Sequence, residues 1–305
     1  MNFDEVKMRL DAHAKAQGRY QDRQRLLIQY GLECFLRRLA ASAHANTFVL
    51  KGSLLYALHA PEDPRNTKDA DFQLQAANSP ENVRRLFTEV CLVAQDDGVT
   101  FDAGGVRLEE AGMDRGYTGY KVTVPIRYGD DPSTLQFDVG FGEAIAPDPE
   151  WHAYPSIARL PAVRIHAYPL ETFLSEKFET NGQCDMGKTR LKDYYDLGFF
   201  AARAGLEGER LCRAVWATFE RRPLPADVPV GITDRFFSDK RRKTDWSAFL
   251  RRHALPKAVR LEDCCQRTAG PMMPVVPGLT NGTPISGRWD GNAWASSLDG
   301  DPFDD

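Results

Sequence analysis

Thr47-Phe48-Val49-Leu50 runs into Lys51-Gly52-Ser53 and then Leu54-Leu55-Tyr56-Ala57-Leu58; beyond a loop at Pro61-Glu62-Asp63-Pro64-Arg65-Asn66 comes Asp69-Ala70-Asp71-Phe72-Gln73-Leu74. The first run is short, apolar and β-branched, so it reads as a buried strand. Gly52-Ser53 breaks it, and the residues that follow read as the opening of a helix. The last run alternates and reads as a second strand. Residues i and i+2 of a strand share a face, so Asp69 and Asp71 present two carboxylates side by side.

Two adjacent carboxylates repel each other unless a cation lies between them. Mg²⁺ (or Mn²⁺) takes oxygen ligands and keeps positions open for substrate phosphate. A third aspartate sits in the apolar run Leu135-Gln136-Phe137-Asp138-Val139. Burying a carboxylate there has few reasons other than function. Asp69, Asp71 and Asp138 are therefore the expected metal ligands, with Asp138 completing a two-metal site. Gly52 and Ser53, at the start of a helix, can offer N–H groups and a hydroxyl to phosphate oxygens.

Outward from this centre, residues 3–42 read as two helices, 80–95 as another, and Tyr120-Lys121-Val122-Thr123-Val124-Pro125-Ile126 as a strand. After a Pro-rich stretch at 146–161 the pattern turns helical, over 169–181, 188–203, 207–220 and 244–253. The expectation is an α+β fold: a mixed sheet with flanking helices over 1–150, a helical domain over 151–268, and an irregular or disordered acidic tail over 269–305.

The 305 residues carry a net charge of −4, so any contact with nucleic acid must come from a local basic patch. Lys240, Arg241, Arg242 and Lys243, then Arg251 and Arg252, form the best RNA-contact candidate, with Arg221-Arg222 as an addition. A solvated charged face is the plainer reading. No apolar stretch is long enough to span a membrane, and the N-terminus lacks the apolar core of a signal peptide. Six scattered cysteines without a CxxC pair fit free thiols in a reducing cytoplasm. The histidines show no zinc-ligand spacing, and neither a G-x-S-x-G elbow nor a P-loop is present.

The stretch Phe48 to Leu58, with Arg65-Asn66-Thr67-Lys68-Asp69-Ala70-Asp71-Phe72, resembles motif I of the AbiEii/AbiGii (MenA/MenT-like) nucleotidyltransferase toxins of the DNA polymerase β-like superfamily. Phe137-Asp138-Val139-Gly140-Phe141-Gly142 resembles that family's third-carboxylate strand. Leu174-Ser175-Glu176-Lys177 resembles its lysine-bearing helix, and Arg190-Leu191-Lys192-Asp193-Tyr194-Tyr195-Asp196-Leu197 its Arg-x-Lys-Asp-x-x-Asp motif. Asp245 to Arg252 resembles its C-terminal helix.

The resemblance implies a polymerase β-like fold, use of an NTP and Mg²⁺, and a cognate antitoxin. It also implies an acceptor at the 3′ end of tRNA, a role in phage defence, a catalytic Lys177, and NTP contacts from Arg190, Lys192, Asp193 and Asp196. The residues themselves leave alternatives. Lys177 follows the apolar face of Leu170, Phe173, Leu174 and Phe178, and either snorkels to solvent, reaches a triphosphate in a cleft, or pairs with a carboxylate. Arg190–Asp193 and Lys192–Asp196 have the spacing of ordinary helical ion pairs. Nucleotidylation of a protein hydroxyl and a non-catalytic NTP-binding relative remain the competing functions.

Overall fold

The two strands on either side of Gly52 do lie next to each other, and the rest of a large mixed sheet is built around them. The computed structural model describes residues 2–16, 23–60, 67–111, 119–142, 145–182, 190–203, 205–221, 233–253, 255–276 and 282–295. The chain divides into two compact units, Met1–Glu143 with Pro149–Tyr168, and Ala144–Asp148 with Pro169–Asp305.

The first unit opens with helices α1 (Phe3–Ala16) and α2 (Arg23–Ala41). Strand β1 (Phe48–Lys51) passes through a 3-10 turn, Gly52–Leu55, into the one-turn helix α3 (Tyr56–His59). Then come β2 (Asp69–Leu74) and α4 (Pro80–Cys91). Ser79 caps α4 by accepting from the Asn82 N–H, and Pro80 fills the first position, where no N–H is needed. The helix stops at Cys91, short of the expected 95. The strands β3 (Val99–Phe101), β4 (Arg107–Ala111), β5 (Gly119–Tyr128), β6 (Asp131–Phe141), β7 (Glu150–Tyr154) and β8 (Val163–Ala167) complete the unit.

The sheet order is β3-β5-β6-β2-β1-β8-β7, with β4 also paired to β5. β2 runs parallel to β6 and antiparallel to β1. One face is apolar. Phe48, Phe72 and Phe137 point from three adjacent strands against Phe35 of α2 and Phe87 of α4. All five rings are buried, and at about 25 cal/mol per Å² this ring cluster is a principal stabiliser of the unit. Because side chains alternate, burying these rings turns the residues between them, Asp71 and Asp138, to the opposite face.

Residues 151–168 correct the expected domain boundary. They form the β7–β8 hairpin and continue the first unit's sheet through the parallel pairing of β8 with β1.

The second unit holds α5 (Leu170–Gly182), α6 (Leu191–Ala201), α7 (Gly208–Arg221), α8 (Asp234–Ser238), α9 (Lys240–Arg252) and α10 (Leu261–Met272). Tyr194, Tyr195, Phe236, Trp246 and Leu261 belong to one buried cluster. Gly198 lets α6 and α10 touch: a Cβ there would lie 2.5 Å from Cys264 Cα. Part of the tail folds back as a two-stranded ribbon, β9 (Arg288–Trp289) with β10 (Trp294–Ala295). Its buried Trp289 donates from Nε1 to the Ala201 carbonyl at 2.6 Å. Cys34, Cys91, Cys212, Cys264 and Cys265 are free and buried. Among the described residues no helix is long and apolar enough to cross a membrane.

Candidate active site

Register places the acidic residues. Asp71 of β2 pairs with Asp138 of β6, and Asp69 pairs with Gln136. Asp69, Asp71 and Asp138 are each half-buried, and Asp71 and Asp138 each stand between two buried neighbours. Thr67 donates from its hydroxyl to Asp69 Oδ1 at 2.8 Å and to the Asp69 carbonyl at 3.1 Å, which fixes the first carboxylate.

Gly52 stands against this row. Its φ is +71°, and a Cβ built on it would lie 1.9 Å from Asp71 Oδ2. Two independent reasons therefore demand glycine: the left-handed backbone, and the carboxylate already occupying the side chain's space. Ser53 follows, buried, inside the 3-10 turn rather than on a long helix.

The same register adds two residues that sequence reasoning did not assign. Lys51 pairs with Asp71, and Lys121 pairs with Asp138. One line across the sheet thus reads Lys121, Asp138, Asp71, Lys51. The Lys51 ammonium lies 5.5 Å from the centre of the Tyr168 ring. Its place directly before Gly-Ser was a usable signal for Lys51. Lys121 had none until its strand's register was known.

Among the described residues no three Asp, Glu, His or Cys side chains come together as a group that could hold a metal ion. The three carboxylates share a face without closing into a ready-made cage. What the row offers is a pair, Asp71 and Asp138, on adjacent strands. A pair suits Mg²⁺, which is held through one or two carboxylates and fills its remaining positions with water and phosphate.

The second unit carries a different cluster. Lys177 Nζ lies 2.6 Å from Asp193 Oδ1 and 2.8 Å from Asp196 Oδ2, with both aspartates fully buried. It also lies 4.7 Å from the centre of the Phe173 ring. Of the three readings open for Lys177, the structure shows the carboxylate partner and not the snorkel. Arg190 Nε adds an ionic contact at 2.6 Å to Asp193 Oδ2. Asp196 turns inward to Lys177, so the expected pairing with Lys192 is replaced, and Lys192 sits on the exposed side of α6.

The basic cluster is divided by its own helix. Asp239 caps α9 by accepting from the Arg242 N–H at 2.9 Å, so the helix starts at Lys240 rather than near 244. Lys240, Arg241, Lys243, Arg251 and Arg252 are exposed. Arg242 is not: it is buried, with its guanidinium over the Phe236 ring at 4.9 Å. Helical periodicity turns it inward, and it leaves the set that can meet RNA. Arg222 and the side chain of Arg221 lie outside the described residues.

A glycine backed onto a carboxylate pair, the Thr67–Asp69 brace and the buried Lys177–Asp193–Asp196 cluster now stand beside a family match. The AbiEii nucleotidyl transferase toxin family, of type IV toxin–antitoxin systems, matches residues 34–263. The chain belongs to the AbiEii nucleotidyltransferase toxin family. No curated protein sequence matches it. Among solved structures, MenT4, a nucleotidyltransferase toxin from Mycobacterium tuberculosis, is similar in fold at 18% identity and a TM-score of 0.58, over 89% of each chain. JHP933 from Helicobacter pylori matches over 86% of this chain and 94% of its own, at 15% identity and a TM-score of 0.48. Membership makes the chain a toxin-type nucleotidyltransferase, and it brings with it an NTP substrate and an antitoxin partner as general properties of such toxins.

Proposed function

We propose that this toxin transfers a nucleoside monophosphate from an NTP to the 3′ end of a tRNA, with Asp71 and Asp138 holding Mg²⁺ (or Mn²⁺). The observation that carries this reading is the in-register pair Asp71–Asp138 with Gly52 against Asp71. In the reaction the acceptor hydroxyl oxygen attacks the α-phosphorus and gives up its proton to solvent, the bond to the bridging oxygen breaks, and pyrophosphate leaves with the electron pair. When bound, the metal neutralises developing charge on the phosphate oxygens.

The chain's own residues do the rest. Asp71 and Asp138 supply oxygen ligands, and Thr67 holds Asp69 in place to assist them. Gly52 allows the backbone of the turn to come close to the carboxylates, and Ser53 follows it as a phosphate contact. Lys51 and Lys121, at the two ends of the row, supply positive charge to the phosphate tail. For Lys177, Asp193 and Asp196 we retain the NTP-related role that the family resemblance implies. Exposed Lys240, Arg241, Lys243, Arg251 and Arg252 favour a polyanionic acceptor over a protein hydroxyl. The setting that follows is the cytoplasm, with a cognate antitoxin restraining the enzyme and phage defence as its use.

Incubating the protein with each labelled NTP, Mg²⁺, and either total RNA or total protein tests this directly. Label in small RNA, lost on chelation and in Asp71→Asn, is the expected result. Label in protein alone overturns the tRNA assignment, and label in neither overturns the activity.

A further inference from the structure

Within the second unit a groove of about 430 Å³ runs between the start of α6 and the later turns of α9, lined in part by Arg190, Lys192, Asp245, Phe249, Arg252 and His253. The α9 members recur at four- and three-residue spacing and so form one stripe of that helix. None of this follows from the carboxylate row, and the groove lies wholly in the helical unit.

Its composition is specific. Phe249 and His253 sit one turn apart with ring centroids 4.8 Å apart at 44°. Phe249 is buried and backs the half-exposed His253 ring. Arg252 and Lys192 are exposed beside them. The one carboxylate among the described lining residues, Asp245, lies 4.0 Å from Arg241 Nε and is partly compensated. Cations next to a backed aromatic ring are what a single-stranded nucleic acid needs: the phosphate takes the charge, and an unstacked base takes the ring.

We propose that this groove holds one nucleotide of a single-stranded RNA, with the base on His253 and its phosphodiester between Arg252 and Lys192. The proposal rests on the tRNA reading and gives it a location. A free triphosphate fits less well. Its several negative charges would face Asp245, and of the groove's cations Arg190 is already engaged with Asp193. A diester carries one charge. Lys192 thereby moves from the NTP to the acceptor strand.

The test uses the full-length protein and a short fluorescent single-stranded oligoribonucleotide of mixed sequence, titrated at several salt concentrations. Arg252→Ala and His253→Ala should each weaken binding about tenfold. Their salt responses should differ: Arg252→Ala lowers the slope of log affinity against log salt by about 0.7, while His253→Ala leaves it unchanged. Lys257→Ala, on the far side of α9, should bind as wild type. Thermal melts establish that each variant is folded, and Arg252, being exposed, is the safer of the two.

Unchanged oligoribonucleotide affinity in both folded variants overturns the proposal. So does a raised KM for NTP with RNA affinity intact, which would put the NTP in the groove. The labelling assay separates this failure from failure of the function. If wild type and both variants label RNA equally well, the groove is wrong and the tRNA reading stands. If wild type labels no RNA, the tRNA reading fails, and the groove assignment goes with it.

Discussion

The sheet face of the first unit and the buried cluster of the second both gather aspartates and lysine, yet they treat charge in opposite ways. Asp71 and Asp138 are half-buried and lie beside each other across two strands. Asp193 and Asp196 are completely buried and share one ammonium at 2.6 and 2.8 Å. In the first region two carboxylates stand side by side across adjacent strands, with Lys51 and Lys121 next to them in register. In the second the chain supplies its own cation, because a carboxylate cannot be left unpaired in the interior. The first region keeps its charges half-exposed on the sheet, whereas the second encloses its charges within the fold.

The strongest test of that contrast is on the half-exposed side. Asp71→Asn should remove nearly all transfer, on the order of a thousandfold or more, while leaving the protein folded, since the substitution is nearly isosteric and opens no cavity. Gly52→Ala should be as damaging without touching a carboxylate. Its Cβ would fall 1.9 Å from Asp71 Oδ2, so either Asp71 or the turn must move. Rates from single-turnover labelling alongside thermal melts read both. A folded Gly52→Ala variant with ordinary activity would show that the turn and the carboxylate do not act together.

The buried side should answer in stability first. Lys177→Met leaves two fully buried carboxylates without their ammonium, which typically costs about 3–5 kcal/mol. Adding Asp193→Asn and Asp196→Asn removes the charges as well and should recover much of that loss. Urea unfolding of the single and triple variants measures it. If the cluster serves only the fold, the triple variant regains activity along with stability. If the cluster also serves the NTP, stability returns and turnover does not.

Smaller effects belong to exposed charge. Lys240, Arg241 and Lys243 occupy the first turn of α9, where the helix dipole disfavours cations by roughly 0.3–1 kcal/mol each. Replacing the three with glutamine should leave stability equal or slightly raised, and should flatten the salt dependence of RNA labelling. Arg242 must be kept, because it is buried with its guanidinium over the Phe236 ring. An unaltered salt slope would return these residues to the class of solvated surface.

Particular residues show what was legible beforehand. The strand at Asp69–Leu74 and the carboxylates on it were readable because alternation fixes a face. The brace from Thr67 and the flanking Lys51 and Lys121 were not, since register between distant strands is a tertiary property. β4, with Arg107, Glu109 and Glu110 on an exposed edge, lacks alternation and was invisible. β7 and β8 hid behind the prolines at 147, 149, 155 and 161. Spacing alone suggested Lys192 for Asp196, but Lys177 from another helix took that place, because burial of Asp196 left no room for a solvated partner.

Glu33 offers a third way to handle a carboxylate, and with it the finest test of the comparison. It is buried on α2 and accepts from the Ile157 N–H at 3.0 Å. Burial pushes its pKa up to about 8 from 4.5, outweighing the bonds from Ile157 and Ser156 and the pull of Arg37. Here the interior is spared a charge by a proton, where Asp193 has Lys177. The sign follows from proton counting. Between 4.5 and 8 the folded state binds a proton that the unfolded state has released, so stability should fall as pH rises through that window. His59, held down to about 4 by burial, acts the other way, costing stability as pH falls below 6.5; His13 and His152, also lowered by burial, act below 6.5 as well. From 6.5 to 8 the Glu33 contribution therefore stands alone among these groups. Glu33→Gln keeps the shape and the acceptor while removing the titration. Its stability should gain on wild type with rising pH, by at most about tenfold in the unfolding constant per pH unit. Parallel urea curves at pH 6.5, 7.2 and 8 decide it: if the two proteins keep a constant gap, Glu33 is ionised in the native state, and the first unit tolerates a buried charge that the second must neutralise with lysine.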